Sequence, residues 1–283
     1  MIKLGILHPG QMGISVAASA KNSGCEVYWA SENRSEQTRI RAVEHGLIDA
    51  HTLAELCHAC SMIVSVCPPH AAEDLARQVL ELGFHGTYLD ANAISPQRVR
   101  RMGESLSSAG IHFVDGGIIG GPAWEPGSTW LYLSGEGAQN VADCFSAGPL
   151  EVSVIGSEIG KASALKMCYA AYTKGSTALL SAVLAAAEEL GVRMELENEW
   201  SRGSSDFARQ TQNRVRKVTA KAWRFEGEMK EIAATLAGAG IPDGFHLAAS
   251  EIYRRTAHFK DAAETPDLQE VLDALLLKTE SDI

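Results

Sequence analysis

What this sequence lacks narrows its identity first. It has no run of 18 or more apolar residues, so no segment reads as a membrane-spanning helix. The first residues enter a strand directly, without the basic region, apolar core and small-residue cleavage site of a secretory leader, and the cytoplasm is the expected compartment. Its 6 cysteines, at positions 25, 57, 60, 67, 144 and 168, are too scattered for a disulfide framework and read as reduced thiols. Cys57 and Cys60 form one C-x-x-C in LCHACS, but no second pair follows at zinc-site spacing. Ser61 stands where a haem-attachment motif needs histidine, so the pair reads as helix packing. Ligands for a catalytic metal do not cluster, and none is expected. An excess of positive charge is also missing. With 25 Lys and Arg against 35 Asp and Glu the formal charge is −10, which argues against a nucleic-acid partner. The most basic stretch, RVRKVTAKAWR (214 to 224), reads as a solvated helix face.

What is present is ample apolar material: 283 residues, 46% hydrophobic, enough to bury a full core and to form two domains. As far as about residue 155, short β-rich runs alternate with helical stretches, the pattern of parallel βαβ units in a doubly wound sheet. Strands are expected at 2–7, 25–30, 47–49, 62–66, 87–90, 112–115, 129–134 and 151–155. After Gly160 the segment KASALKMCYAAYTKGSTALLSAVLAAAEELG reads as one helix, longer than a typical globular one and closed by Gly191. The remainder is helical by periodicity. The expected fold class is therefore an α/β Rossmann-type domain over 1–158 followed by an all-α domain over 159–283, the latter for substrate and dimerisation.

Chemistry enters at GILHPGQMG. A strand, a glycine turn and a helix start together aim unpaired backbone N–H groups and the positive helix end at a phosphate. Gly10 allows close approach of a pyrophosphate, Gly13 allows the helix to pack on the strand, and Gln11, Met12 and Gly13 supply the donors. His8 stands where the usual motif has its first glycine, and reads as packing; Pro9 stiffens the turn. After the second strand, Glu32 could serve the ribose hydroxyls of NAD. Ser31, Arg34 and Ser35 instead offer two hydroxyls and a guanidinium suited to a 2′-phosphate, and NADP is favoured over NAD.

Four segments, in order, resemble the 3-hydroxyacid dehydrogenase and 6-phosphogluconate dehydrogenase superfamily: GILHPGQMG, DANAISP (90 to 96), DGGIIGG (115 to 121) and GKASALK (160 to 166). The C-terminal half is similar to a branch named for an NAD-binding phosphogluconate dehydrogenase with its own helical C-terminal domain. The resemblance implies that Lys166 is the general acid and base of a hydride-transferring oxidoreductase acting on a hydroxy or keto substrate. A lysine desolvated early in an alanine-rich helix is compatible with that role. It implies that Cys67 and Pro68 lie along the cofactor, that Asn92 lines the nicotinamide side, and that Gly120 and Gly121 bring a substrate carboxylate to backbone N–H groups. Departures from the family pattern are as informative. Ile119 replaces a substrate-binding serine, Ala170 an asparagine, and Gly227 and Glu228 a lysine–aspartate pair, so a different and bulkier hydroxy acid is expected. Tyr169, Tyr172, Lys174 and Trp124 could supply new contacts, while His246 is either a structural histidine near a helix start or a substrate contact. Two alternatives stay open: an imine reductase-like enzyme, and a non-catalytic NADP-binding sensor. The long apolar helix favours a homodimer.

Overall fold

The structure, a computed structural model, describes residues 1–277. The chain divides into two compact units, one ending at Met167 and one beginning at Cys168.

The first unit is built on one 8-stranded sheet: β1 (Lys3–Ile6), β2 (Glu26–Trp29), β3 (Ile48–Asp49), β4 (Met62–Ser65), β5 (Thr87–Asp90), β6 (His112–Gly120), β7 (Thr129–Ser134) and β8 (Leu150–Gly156). Their spatial order is β3-β2-β1-β4-β5-β6-β7-β8. The first six are parallel, and the order reverses direction at β1, the switch point at which doubly wound sheets bind ligands. β7 is antiparallel to β6, and β8 runs parallel to β7. The sequence reading did not foresee this turn, nor that β6 continues five residues past Asp115 to Gly120. Its reason is local: residues 121–128 carry no helix, and a parallel return would need a longer crossover.

Helices α1 (Gln11–Asn22), α2 (Glu36–Glu44), α3 (Leu53–Ala59), α4 (Ala72–Glu81), α5 (Pro96–Ser108) and α6 (Ala138–Asp143) join these strands. They cover both faces of the sheet. One core layer gathers Leu4, Ile14, Val27, Val64 and Leu131; the other gathers Leu56, Ile63, Tyr88, Val99 and Phe113. Cys57 and Cys60 are buried in the second layer, and that burial pushes their thiols up to about 11 and about 12.

From Lys161 a 29-residue helix, α7 (Lys161–Glu189), begins in the first unit and continues into the second. It ends where expected: Gly191 has a left-handed φ of 69° and donates its N–H to the Glu188 carbonyl. The second unit adds α8 (Arg193–Trp200), α9 (Phe207–Gly238), α10 (Gly244–Arg255) and α11 (Leu268–Leu276). Leu184, Val215, Val271, Leu272 and Leu275 form its core. Arg214 of α9 fastens to α7, donating Nε to Thr177 Oγ1 at 2.6 Å and Nη2 to the Thr173 carbonyl at 2.6 Å. Among the described residues no helix is long and apolar enough to cross a membrane.

Candidate functional site

β1 leads through His8 and Pro9 to Gly10, the N-cap of α1, and no side chain caps that helix. The N–H groups of Gln11, Met12 and Gly13 therefore stand in the first turn, where a helix offers them no internal acceptor and its dipole is positive. The two glycines differ in purpose. A Cβ at Gly13 would drive into the carbonyl oxygen of His8, so only glycine lets α1 lie this close to β1. A Cβ at Gly10 would meet nothing within 4 Å, which leaves open space in front of the donors. That combination fits a pyrophosphate.

Arg34 Nη1 meets His8 Nε2 at 2.7 Å, and Nη2 donates to the Leu7 carbonyl at 3.1 Å. A guanidinium only donates, so Nε2 must be the acceptor and the ring proton sits on Nδ1. Burial, reinforced by the charge of Arg34, holds His8 down to about 4, and the ring is neutral. Two more arginines serve the neighbouring loops: Arg41 Nη1 donates to the Pro9 carbonyl of the glycine turn at 3.1 Å, and Arg39 Nη2 to the Ser31 carbonyl after β2 at 2.8 Å. His8 is thus an acceptor that fixes an arginine beside the glycine turn, a role that only the fold reveals. Ser31, Arg34 and Ser35 are brought together after β2, each with structural duties. Ser31 is buried, Arg34 buttresses the turn, and the exposed Ser35 hydroxyl caps α2 by accepting the Thr38 N–H.

Cys67 and Pro68 leave the end of β4, next to β1. Asn92 follows the end of β5 and is buried, with its carboxamide engaged inside the protein. Its Oδ1 accepts the Cys67 N–H at 2.5 Å, and its Nδ2 donates to Asp90 Oδ2 at 2.6 Å and to Ser65 Oγ at 3.0 Å. Asn92 was expected to line the nicotinamide; its geometry makes it the brace of the Cys67–Pro68 loop. The Cys67 thiol is pushed up to about 12 by burial and by the nearby Asp90 carboxyl, which leaves it unreactive.

Lys166 sits on the second turn of α7, half-buried, with Nζ donating to the Ile118 carbonyl at 2.5 Å. Two features hold it there. A Cβ at Gly117 would come within 2.5 Å of the Ala162 carbonyl, so this glycine lets α7 press on β6. Asp115, fully buried, receives the N–H of Gly160 and Ser163 and the hydroxyls of Ser163 and Ser134, at 2.6 to 3.1 Å. That carboxyl caps the start of the helix from the neighbouring strand. Burial pushes it up, and these four donors pull it back. Asp115 was visible in DGGIIGG only as a motif letter. Past Asp115 the strand overshoots β5, so Ile118 and the lysine lie beyond the carboxyl ends of the parallel strands. At the end of β6, Gly120 has a φ of 128°, and the Gly121 carbonyl accepts from Thr129 Oγ1. Trp124, in the following loop, stacks on His45 at 5.1 Å.

The sequence pattern of the NAD binding domain of 6-phosphogluconate dehydrogenase matches residues 3–143, and a domain of unknown function, DUF1932, matches residues 187–256. The solved structure of the conserved protein MTH1747, of unknown function and described as similar to 3-hydroxyacid dehydrogenases, superposes with a TM-score of 0.65 at 27% identity, covering 90% of this chain and 98% of that one. Residues 3–143 thus form an NAD binding domain of the 6-phosphogluconate dehydrogenase kind, and the chain as a whole is similar to 3-hydroxyacid dehydrogenases. An uncharacterised 28.5 kDa protein encoded in the 7S RNA 5′ region of Methanothermus fervidus is 28% identical over 195 residues, 69% of this chain and 74% of that protein. The Mycobacterium tuberculosis 3-hydroxyisobutyrate dehydrogenase shares the fold of this chain, with a TM-score of 0.69 at 17% identity over 99% of this chain and 100% of the other.

Within the helical unit of this dehydrogenase relative, Lys174 forms an ion pair with Glu228, both largely buried, and lies 4.4 Å from the Phe225 ring centroid. The backbone carbonyl of Lys174 accepts from Tyr253 OH at 2.8 Å. His246, third residue of α10, is buried with Nε2 3.3 Å from the Ala171 carbonyl, so Nε2 carries the proton and serves α7–α10 packing. Tyr169 and Tyr172 are exposed, Ile119 is half-buried and Ala170 is buried.

Proposed function

We propose that this protein is an NADP-dependent oxidoreductase that moves a hydride between nicotinamide and a hydroxy or keto substrate, with Lys166 as general acid and base. The observation that carries this reading is the placement of Lys166. Its ammonium is held on the Ile118 carbonyl beyond the carboxyl ends of the parallel strands, in the same unit as the uncapped first turn of α1. The dinucleotide, when bound, supplies the hydride acceptor or donor at its nicotinamide carbon. Gln11, Met12 and Gly13 hold the pyrophosphate through backbone N–H groups, and the Cys67–Pro68 segment, braced by Asn92, lies along the cofactor. Arg34 and Arg41 hold the Leu7 and Pro9 carbonyls beside the glycine turn and Arg39 holds that of Ser31, and their charge, with the Ser31 and Ser35 hydroxyls, favours a 2′-phosphate over a bare ribose. Lys166 polarises the substrate carbonyl in reduction and gives it a proton; in oxidation the amine takes that proton back.

Gly120 and Gly121 are the proposed contacts for a substrate carboxylate. With Ile119 and Ala170 replacing a hydroxyl and an amide, the substrate is a bulkier hydroxy acid than a small β-hydroxy acid. The same reading has the chain as a homodimer. The test is Lys166→Met, assayed with NADPH against a panel of keto acids, ketones and imines. We expect turnover to fall by about 10²–10⁴-fold, with NADPH binding unchanged. A variant as active as wild type would refute the proton-transfer role, and wild-type NADPH binding without turnover on any panel member would favour the sensor reading.

A further inference from the structure

A row of buried polar side chains crosses the sheet. Ser65 of β4 pairs in register with Asp90 of β5, Asp90 with Asp115 of β6, and Asp115 with Ser134 of β7. All four are fully buried. Two carboxyls side by side in a sheet interior are costly unless each has work to do. Asp115 spends its oxygens on the start of α7, with four donors. Asp90 receives the backbone N–H of Asn92 on Oδ1 at 3.2 Å and the Asn92 carboxamide N–H on Oδ2 at 2.6 Å. Both oxygens of Asp90 therefore accept from one residue, and that residue's own Oδ1 accepts the Cys67 N–H at 2.5 Å. The chain of bonds runs from β5 through Asn92 to the loop after β4.

We propose that Asp90 is a positioning residue for the dinucleotide: as a carboxylate it clamps the Asn92 carboxamide, and Asn92 in turn fixes the Cys67–Pro68 segment against the cofactor. This rests on the cofactor reading given above. Protonating Asp90 converts one acceptor oxygen into a hydroxyl, loosens the Asn92 amide and frees the loop.

The surroundings make that protonation accessible. Burial pushes Asp90 up to about 7, with the Asn92 bonds pulling it down, the neighbouring Asp115 raising it and Arg98 of α5 lowering it. Tyr88 of β5 and the Cys67 thiol also face it, and both are pushed up, so they stay neutral as Asp90 titrates. Two opposite pH trends result. Cofactor affinity rises as pH increases through about 7, because the ionised clamp forms. Stability falls over the same approach, because the native carboxyl binds its proton up to about 7 while the unfolded one releases it at 3.8. A residue of purely structural value would move affinity and stability together.

The experiment measures Kd for NADH and for NADPH from pH 6 to 8.5 on wild type, Asp90→Asn, Asn92→Ala and the double variant, with thermal midpoints recorded alongside. NADH is included because it lacks the titrating 2′-phosphate. We expect wild-type affinity for both dinucleotides to weaken below about pH 7. Each single variant should bind about tenfold more weakly at pH 8, the scale of one charge-assisted hydrogen bond, with a flat pH profile for NADH, and the double variant should be no weaker than either. Asp90→Asn should at the same time melt no lower than wild type at pH 8. An Asp90→Asn protein that keeps the wild-type pH profile, or additive losses in the double variant, would overturn the inference alone. Wild type that binds neither dinucleotide would overturn the cofactor reading and this role with it. Should Asp90→Asn fail to fold, hydrogen exchange at the wild-type Cys67 amide decides instead: protection that drops below about pH 7 supports the clamp, and protection unchanged with pH refutes it.

Discussion

Gly10 and Gly13 lie three residues apart in one turn, and the fold predicts opposite consequences for the same substitution. At Gly10 the φ is −72°, which any residue adopts, and a Cβ meets nothing within 4 Å. Gly10→Ala should leave stability within about 0.5 kcal/mol of wild type, or raise it slightly by restricting the unfolded chain. That same methyl enters the space assigned to the pyrophosphate, so NADPH affinity should drop by at least about tenfold, or about 1.4 kcal/mol. Gly13→Ala places its methyl on the His8 carbonyl oxygen, a backbone atom that cannot turn aside. α1 must then lift from β1. Overpacking costs up to about 3 kcal/mol, and the upper end applies where the clash is with a backbone atom; alanine's helix propensity returns about 1 kcal/mol, so a net loss of about 2 kcal/mol is expected together with weakened binding. Thermal melts of both variants, with and without NADPH, separate the two effects. A Gly10→Ala protein that binds NADPH like wild type would refute the assignment of that space to the phosphate. A Gly13→Ala protein as stable as wild type would refute the packing argument.

The remaining predictions concern the elements around that turn. Arg34→Ala should weaken NADPH more than NADH, and equal losses measured by calorimetric titration would show that Arg34 serves only His8 and the Leu7 carbonyl. Asp115→Ala leaves four buried donors without their acceptor and should cost about 3–5 kcal/mol in urea unfolding, where a loss below about 1 kcal/mol would show that α7 is seated by other contacts. Leu165, Tyr169, Tyr172 and Leu179 are exposed along α7. Sedimentation at micromolar concentration should give a dimer, and a monomer would refute a homodimer built on the helical domain.

How much of this was legible beforehand follows from what is local. The α/β-then-α order, the glycine turn, the long helix and its stop at Gly191 all rest on periodicity and on single residues with restricted backbone options, which a sequence displays directly. Lys166 was reached by its place in GKASALK and Asn92 by DANAISP, yet their partners were not. Ile118 lies 48 positions before Lys166, and Cys67 lies 25 before Asn92. Arg34 was assigned to a phosphate on chemistry alone; its contact with His8 spans 26 positions and depends on β2 lying beside β1. The reversal at β7 was missed because a strand's pattern carries no direction. Sequence by itself determined which segments are strands and helices and which residues carry reactive groups, because those depend on neighbours along the chain. Only the tertiary structure decided that Ser65, Asp90, Asp115 and Ser134 form one buried row, because register across four strands is set by pairing between segments far apart in sequence.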